Sequence, residues 1–519
     1  MKKPLKQILQ FISRYKYHFF TGLILLLAFI LRFYNFDMRW SLGNDDSRDI
    51  AIAHEALRRH ELPLTGSFSS AGPFVFGPFF YWFLMISYFL FPSLLTIPWI
   101  LTVLVSVGTV AILMYCGKKL EGNNLALIVG LLTATSPQLV MRSLILGQHT
   151  FVGFMASAMV LCLLLFLEKK KLRYAFLVGL FIGGAINFHY QAINLLIFLV
   201  VILFISGKTL RFKLLAFLLA VTGVILALAP LFIWDSQQQF ANVRNLLDYF
   251  LVGQYRLYVP NSWRLFLLTY FPNYWAFVAG GYNFVALITI IVVGGETIFA
   301  IIKKQFFQRR VFLIIPFLFL VLLNRYYKGE RSEGYLLYFM PFIVLFTSFA
   351  IFTLFKTKKI IGKTFATLLF SLILFGNAFI LPPIVFHVST VPDFKQAIDA
   401  LVEKFPHQRF VVYDYKASLS YYNQPLSLLL QQRDLIARDG MPIGIVCLEK
   451  CPRGYPVIIR EGGWVLVDLR KEKNIKKEKF FWINVNPENM YDDLTGWLNK
   501  SQLRSSFSFQ KYLTDKFHF

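Results

Sequence analysis

Thirteen acidic residues precede Ile384, and six of them, Asp37, Asp45, Asp46, Asp49, Glu55 and Glu61, fall within one stretch of 25 residues. After the run Gly43-Asn44-Asp45-Asp46-Ser47-Arg48-Asp49, the residues Ile50, Ala53 and Leu57 recur at helical spacing, with His54, Glu55, Arg58 and Arg59 on the opposite side. That pattern is an amphipathic helix lying on a membrane surface. A carboxylate at the mouth of a hydrophobic bundle, partly withdrawn from water, has its pKa raised and acts as a general base. The same residues suit a structural task, accepting the first free N–H groups of the helix. For Asp46 the capping role is the better reading; for Asp45 both stay open.

Other polar residues cluster at the ends of apolar runs. Arg142, Gln148 and His149 share one short connection, His189, Tyr190 and Gln191 another, and Asn324, Arg325, Lys328, Glu330, Arg331 and Glu333 a third. Cations on the side where few are expected ask for an anion such as a lipid phosphate. Local pairing, for instance of Lys328 or Arg331 with Glu330 or Glu333, is the alternative. His189 on its own reads more simply as an interfacial histidine with its hydrogen bonds met than as a catalyst. The connection 235–281 is rich in aromatics and arginine, a composition shared by sugar-stacking surfaces and interfacial belts.

The elements that position these residues follow from composition. Of 519 residues, 57% are hydrophobic, 18% aromatic and only 16% charged, against about 25% charged in soluble domains. This excludes a soluble globular protein and a disordered one, and leaves the bilayer as solvent. The region before Ile384 holds 34 basic and 13 acidic residues; the remainder holds 19 and 15. The excess cations fall between apolar runs, as the positive-inside rule requires, with no basic stripe interleaved with aromatics that would address nucleic acid. Cys116 and Cys162 lie in apolar runs. Cys447 and Cys451 form a C-x3-C pair that is either a small disulfide loop or two thiols.

A bilayer core of ~30 Å needs about 20 apolar residues as helix. Eleven runs qualify as spans: 18–36, 97–116, 125–141, 151–167, 174–188, 193–205, 214–234, 282–302, 311–326, 336–355 and 360–381. Lysines and arginines before the first place the N-terminus in the cytoplasm. The run 74–91 is long enough to span, but counting it inverts every later loop, so it reads as a half-embedded or re-entrant helix interrupted at Gly77-Pro78. An odd number of spans puts the tail outside. The tail reads as a small α/β domain, with a helix over 393–405 and strands over 409–413, 443–448 and 464–468. The expected organisation is an α-helical polytopic membrane domain over 1–383, with outside loops 37–73 and 235–281, followed by an extracytoplasmic α/β domain over 384–519.

A basic N-terminus and one span, an outside loop whose Asp45-Asp46 pair opens an amphipathic helix, the run Gly77-Pro78-Phe79-Phe80-Tyr81-Trp82, and Ser136-Pro137 with Arg142 before a further span together resemble the GT-C membrane glycosyltransferases. Within them the chain is similar to the protein O-mannosyltransferase and aminoarabinose transferase type over about 23–381. The resemblance implies a polyprenyl-phosphate-linked sugar as donor, a glycan, lipid or protein acceptor, membrane lipid around the chain, and no nucleic acid. It implies Asp45 as catalytic base with Asp46 as its neighbour. The candidate substrate-binding residues beside them are Arg48, Tyr81, Arg142, His149, His189, Arg325, Lys328 and Arg331, with Arg142, Arg325, Lys328 or Arg331 facing the departing phosphate. Single displacement would invert the anomeric carbon. Where relatives carry a second acidic residue on the next outside loop, this chain has Gln148-His149. That departs from the family's metal-coordinating pattern: no cofactor is required, and a divalent cation stays open without being indicated.

Two other classes are weighed beside this one. A transporter or flippase of lipid-linked sugars needs charges near mid-span and, commonly, repeated halves; the spans are nearly free of charge, with Glu296 the main exception. A non-catalytic assembly protein would use the tail to bind partners.

Overall fold

The computed structural model describes residues 2–69, 72–204, 208–252, 262–302, 311–327, 333–385, 391–415, 423–437, 439–447, 454–461, 464–471 and 480–481. The chain opens with α1 (Lys2–Phe33), α2 (Asn44–Arg59), α3 (Phe79–Leu90), α4 (Ile97–Glu121), α5 (Asn123–Ala134), α6 (Pro137–Arg142), α7 (Val152–Lys169) and α8 (Leu172–Phe188). It continues with α9 (Ile197–Leu203), α10 (Leu210–Gln237), α11 (Ala241–Leu251), α12 (Ser262–Leu265), α13 (Phe271–Ala279), α14 (Asn283–Ile302), α15 (Val311–Tyr326), α16 (Met340–Lys356) and α17 (Ile360–Val385). The predicted spans are helical over most of their length, but 125–141 breaks between α5 and α6, and 193–203 runs from a 3-10 stretch into the short α9. Among the described residues six helices are long and apolar enough to cross a bilayer, and a seventh crossing is available to the pair 263–279 and 283–299, bent by 93°. The remaining predicted spans are shorter apolar helices. At 1.5 Å per residue, the 12 residues of α3 reach ~18 Å, the same length as α5.

The bundle is held by close backbone approach as well as by side-chain burial. A Cβ on Gly179 of α8 would stand 1.7 Å from the carbonyl oxygen of Ala220 on α10, and one on Gly223 would stand 2.3 Å from the carbonyl oxygen of Phe176. Small residues here let two helices touch where lipid offers no hydrophobic drive between them. Arg32, fully buried in α1, does not face lipid. Its Nε donates to Ser106 Oγ at 2.8 Å and its Nη1 to the carbonyls of Ala28 and Ala134 at 3.0 and 3.2 Å, tying α1 to α4 and α5.

The run Gly77-Pro78 is pinned across the bundle. Asn187 at the end of α8 accepts from Phe79 N at 3.0 Å and donates to the Ala227 carbonyl at 3.0 Å, while Gly77 N donates to Asn187 O at 3.0 Å. A Cβ on Gly77 would fall 2.2 Å from Asn187 Oδ1, so only glycine fits.

Beyond α17 come α18 (Val391–Lys404), β1 (Phe410–Tyr415), α19 (Asn423–Gln432), β2 (Met441–Cys447), β3 (Val457–Glu461), β4 (Trp464–Asp468) and β5 (Phe480–Phe481). The sheet order is β3-β4-β2-β1-β5; β1 and β2 run parallel and the other pairs antiparallel. The expected helix and three strands are present, joined by α19, β3 and β5, which periodicity did not single out. α19 packs against both β1 and α2. The C-terminal region therefore rests on the helix that carries the acidic cluster.

Candidate active site

The first turn of α2 is built for negative charge. Asp45 and Asp46 sit in it, where the free N–H groups and the positive end of the helix dipole favour carboxylates. Asp46 Oδ2 reaches back to accept from Gly43 N at 3.0 Å, and Ser47 Oγ donates to Gly43 O at 2.7 Å. Asp46 is therefore not the cap expected of it: Gly43 holds the N-cap position, and Asp46, three residues on, accepts from the Gly43 N–H as the return half of a capping box. Arg48 lies between two carboxylates: its Nη1 is 2.8 Å from Asp45 Oδ1 and its Nε 2.9 Å from Asp49 Oδ1. The Asp45 side chain is 84% exposed and that of Asp49 only 7%.

Burial governs the protonation of this turn. Withdrawal from water pushes the Asp46 carboxyl up to about 7, against the Gly43 N–H, which favours its anion, and helped by the charges of Asp49 and Asp45. Burial also raises Asp49 despite the neighbouring Arg48. For Arg48, burial works against the charged form, but the carboxylates, Asp49 first, outweigh it and hold the guanidinium more firmly protonated than usual.

Facing α2 is a short antiparallel contact between Ser67–Ser69 and Phe74–Phe76, closed by Gly66 N to Phe76 O at 2.8 Å and Phe76 N to Ser67 O at 3.0 Å. Val75 anchors it: its N–H donates to Asn242 Oδ1 at 2.8 Å, and its carbonyl accepts from the Tyr190 hydroxyl. Asp235 at the end of α10 fixes Asn242 in turn by accepting from the N–H groups of Asn242 and Val243 at 2.8 and 3.0 Å. This places α11 over the site, with the Tyr249 hydroxyl 2.7 Å from that of Tyr327.

The third wall is cationic and aromatic. Ser136 caps α6, with Pro137 in its first turn, and the helix ends at Arg142, whose Nη1 is 2.9 Å from His149 Nε2. The His189 ring stacks on Phe76 at 5.3 Å and on Tyr335 at 4.5 Å. Gln148 Oε1 accepts from Ser67 Oγ at 2.8 Å. These walls enclose a cavity of 490 Å³ lined by Asp45, Asp46, Arg48, Asp49, Arg142, His149 and His189 together with Phe74, Phe76, Tyr190, Gln191, Tyr249, Tyr327 and Tyr335. A side chamber of 170 Å³ shares Gln191, Phe250 and Tyr327 with it and continues past Asn194 and Asn324 to Ile193 and Leu323, whose side chains are exposed on the flank of the bundle.

Six of the ten residues singled out from the sequence thus meet in one cavity: Asp45, Asp46, Arg48, Arg142, His149 and His189. Tyr81 is placed differently. It is fully buried behind the cavity wall and its hydroxyl donates to Asp49 Oδ1 at 3.2 Å, because α3 packs against α2 and turns that ring toward the helix. Arg325, near the end of α15, sets its guanidinium over the Trp263 ring at 5.6 Å and is not among the residues of the cavity wall. Lys328 and Arg331 lie outside the described residues. Asp49 belongs to the site and was not singled out, although its position four residues after Asp45 puts both on one helical face. Among the described residues no three His, Cys, Asp or Glu side chains gather as a metal site.

Several known proteins resemble this chain. The family described as "Dolichyl-phosphate-mannose-protein mannosyltransferase" matches residues 73–234. No curated protein matches in sequence. The crystal structure of ArnT from Cupriavidus metallidurans bound to undecaprenyl phosphate superimposes with a TM-score of 0.57 at 12% identity, over 88% of this chain and 98% of that one. Its apo state gives 0.56 at 12% identity, over 86% and 97%. The archaeal oligosaccharyltransferase AglB from Archaeoglobus fulgidus, in complex with an inhibitory peptide and a dolichol-phosphate, gives 0.54 at 13% identity over 80% of this chain. The chain spans 64% of that longer protein.

Proposed function

Taking as premise that this chain is a multi-pass membrane protein with the fold of the GT-C glycosyltransferases, we propose that it transfers a monosaccharide from a polyprenyl-phosphate-linked donor to an acceptor hydroxyl, with inversion at the anomeric carbon. The observation that carries this reading is the shared cavity. Asp45 and Arg142, 97 positions apart in sequence, line the same 490 Å³ space, so a base and a phosphate-binding cation face one volume large enough for a small ligand.

In this mechanism Asp45 accepts the proton of the acceptor hydroxyl as its oxygen bonds to the anomeric carbon. The bond from that carbon to the phosphate oxygen breaks in line, and the electron pair leaves on polyprenyl phosphate. Arg142 stabilises the charge growing there. The His189, Phe76 and Tyr335 rings offer a stacked aromatic surface to the sugar, and the side chamber leads the carrier chain toward the lipid-facing flank. The active side faces away from the cytoplasm, with the N-terminus inside.

The test is transfer in reconstituted vesicles supplied with a panel of polyprenyl-phosphate sugars. Asp45→Asn is expected to insert and fold as the parent does and to lose transfer. Full turnover by that variant excludes Asp45 as the base.

A further inference from the structure

Three carboxylates at positions 45, 46 and 49 line one cavity and supply the oxygen chemistry a divalent cation takes, yet they do not gather as a metal site. Each is already engaged. Asp46 Oδ2 accepts from Gly43 N at 3.0 Å; Asp45 Oδ1 and Asp49 Oδ1 both bind the guanidinium of Arg48, at 2.8 and 2.9 Å. Of the two imidazoles on the cavity wall, His149 has its Nε2 held by Arg142 at 2.9 Å. The ground between Asp45 and Asp49, where a metal would have to sit, is filled by a fixed positive charge that repels a second one.

Resting on the transferase reading above, we infer that Arg48 is the resident cation of the site, that Asp49 and Tyr81 are its anchor, and that the site works without a divalent ion. The asymmetry of the two carboxylates supports this. Asp49 is 5% exposed and its Oδ1 also accepts from the buried Tyr81 hydroxyl at 3.2 Å; Asp45 reaches into open space. When Asp45 takes a proton its charge disappears, and Arg48 remains neutralised and oriented by Asp49. A divalent ion held by both carboxylates would lose a ligand at that step. Asp49 touches no reacting atom and is a positioning residue; it sets where Arg48, and through it the Asp45 carboxylate, stands.

The experiment uses the full chain in nanodiscs and two readouts. Manganese titration followed by electron paramagnetic resonance is expected to leave the ion free with the parent protein. Arg48→Ala, with the carboxylates uncovered, is expected to bind one manganese, and Arg48→Ala/Asp49→Asn to release it at the same concentration. In the transfer assay the parent rate is expected to be unchanged by excess EDTA. Arg48→Lys, which keeps the charge should the alanine variant fail to fold, retains a residual rate equally indifferent to EDTA. Asp49→Asn is expected to lower kcat by about tenfold with little change in KM for the donor, and Asp49→Glu to recover part of it. Manganese bound by the parent, no manganese bound by a folded Arg48→Ala, or parent transfer abolished by EDTA and restored by metal overturns the inference. If the parent transfers no sugar from any donor, the transferase reading fails, while the resonance titration still decides whether Arg48 occupies the cation position.

Discussion

His149 Nε2 lies 2.9 Å from Nη1 of Arg142, and because a guanidinium has only N–H groups to offer, the imidazole nitrogen must be the acceptor. His149 therefore stands neutral with its proton on Nδ1, and the pair presents a positive charge to the cavity. Truncating the cation removes it. Arg142→Ala is expected to lower kcat/KM for a polyprenyl-phosphate sugar by about 10²–10³, the usual effect of deleting a donor aimed at developing negative charge. Steady-state kinetics in vesicles would check this, and a loss smaller than tenfold would argue that the phosphate sits elsewhere.

Gly334 guards that pair. A Cβ there would come within 2.8 Å of His149 Cδ2, too close to stand without a shift, and within 3.2 Å of Arg142 Nη1, a tight contact. Gly334→Ala is expected to displace the imidazole and raise KM for the donor, at a stability cost of about 1–3 kcal/mol from overpacking. Thermal unfolding and donor titration together separate the two effects.

The seam between α8 and α10 predicts the opposite division. Gly179→Ala places a methyl 1.7 Å from the Ala220 carbonyl oxygen, and the clash is with backbone, which has little freedom to move. The variant is expected to lose stability, by about 1–3 kcal/mol or more, with unchanged KM in the fraction that folds. Size-exclusion recovery and thermal midpoints report the first, kinetics the second.

Asp46 carries a signature in pH. Its folded carboxyl is pushed up to about 7 from 3.8, so the native state binds the proton more tightly than the unfolded chain does. The stabilisation from that proton is complete below the unfolded value and is lost as pH rises through about 7. Asp46→Asn keeps an oxygen for Gly43 N and removes the titration. Relative to this variant, the thermal midpoint of the parent is expected to fall between pH 4 and pH 7, and parallel curves for the two proteins would contradict the assignment.

The apolar runs were legible in the sequence because the bilayer imposes a length and a polarity that no run of Phe, Leu and Ile hides; the break of 125–141 into α5 and α6 was not. The acidic opening of α2 was legible as well, since a cap and a 3.6-residue period are local properties. The partition of roles within it was not. Asp45 and Asp49 differ through Arg48 and the Tyr81 ring, and Tyr81 leaves the cavity wall because α3 presses it against α2, a contact across 32 positions. Arg142 and His149, neighbours in one connection, become a charged pair only because the chain breaks after α6 and returns, and Arg325 turns instead toward Trp263. The seating of α19 on α2 had no sequence signature at all. What a residue owes to its near neighbours and to its solvent was determined by the sequence; what it owes to groups a hundred positions away was decided by packing, which brings opposite charges and complementary surfaces together without leaving any periodicity behind.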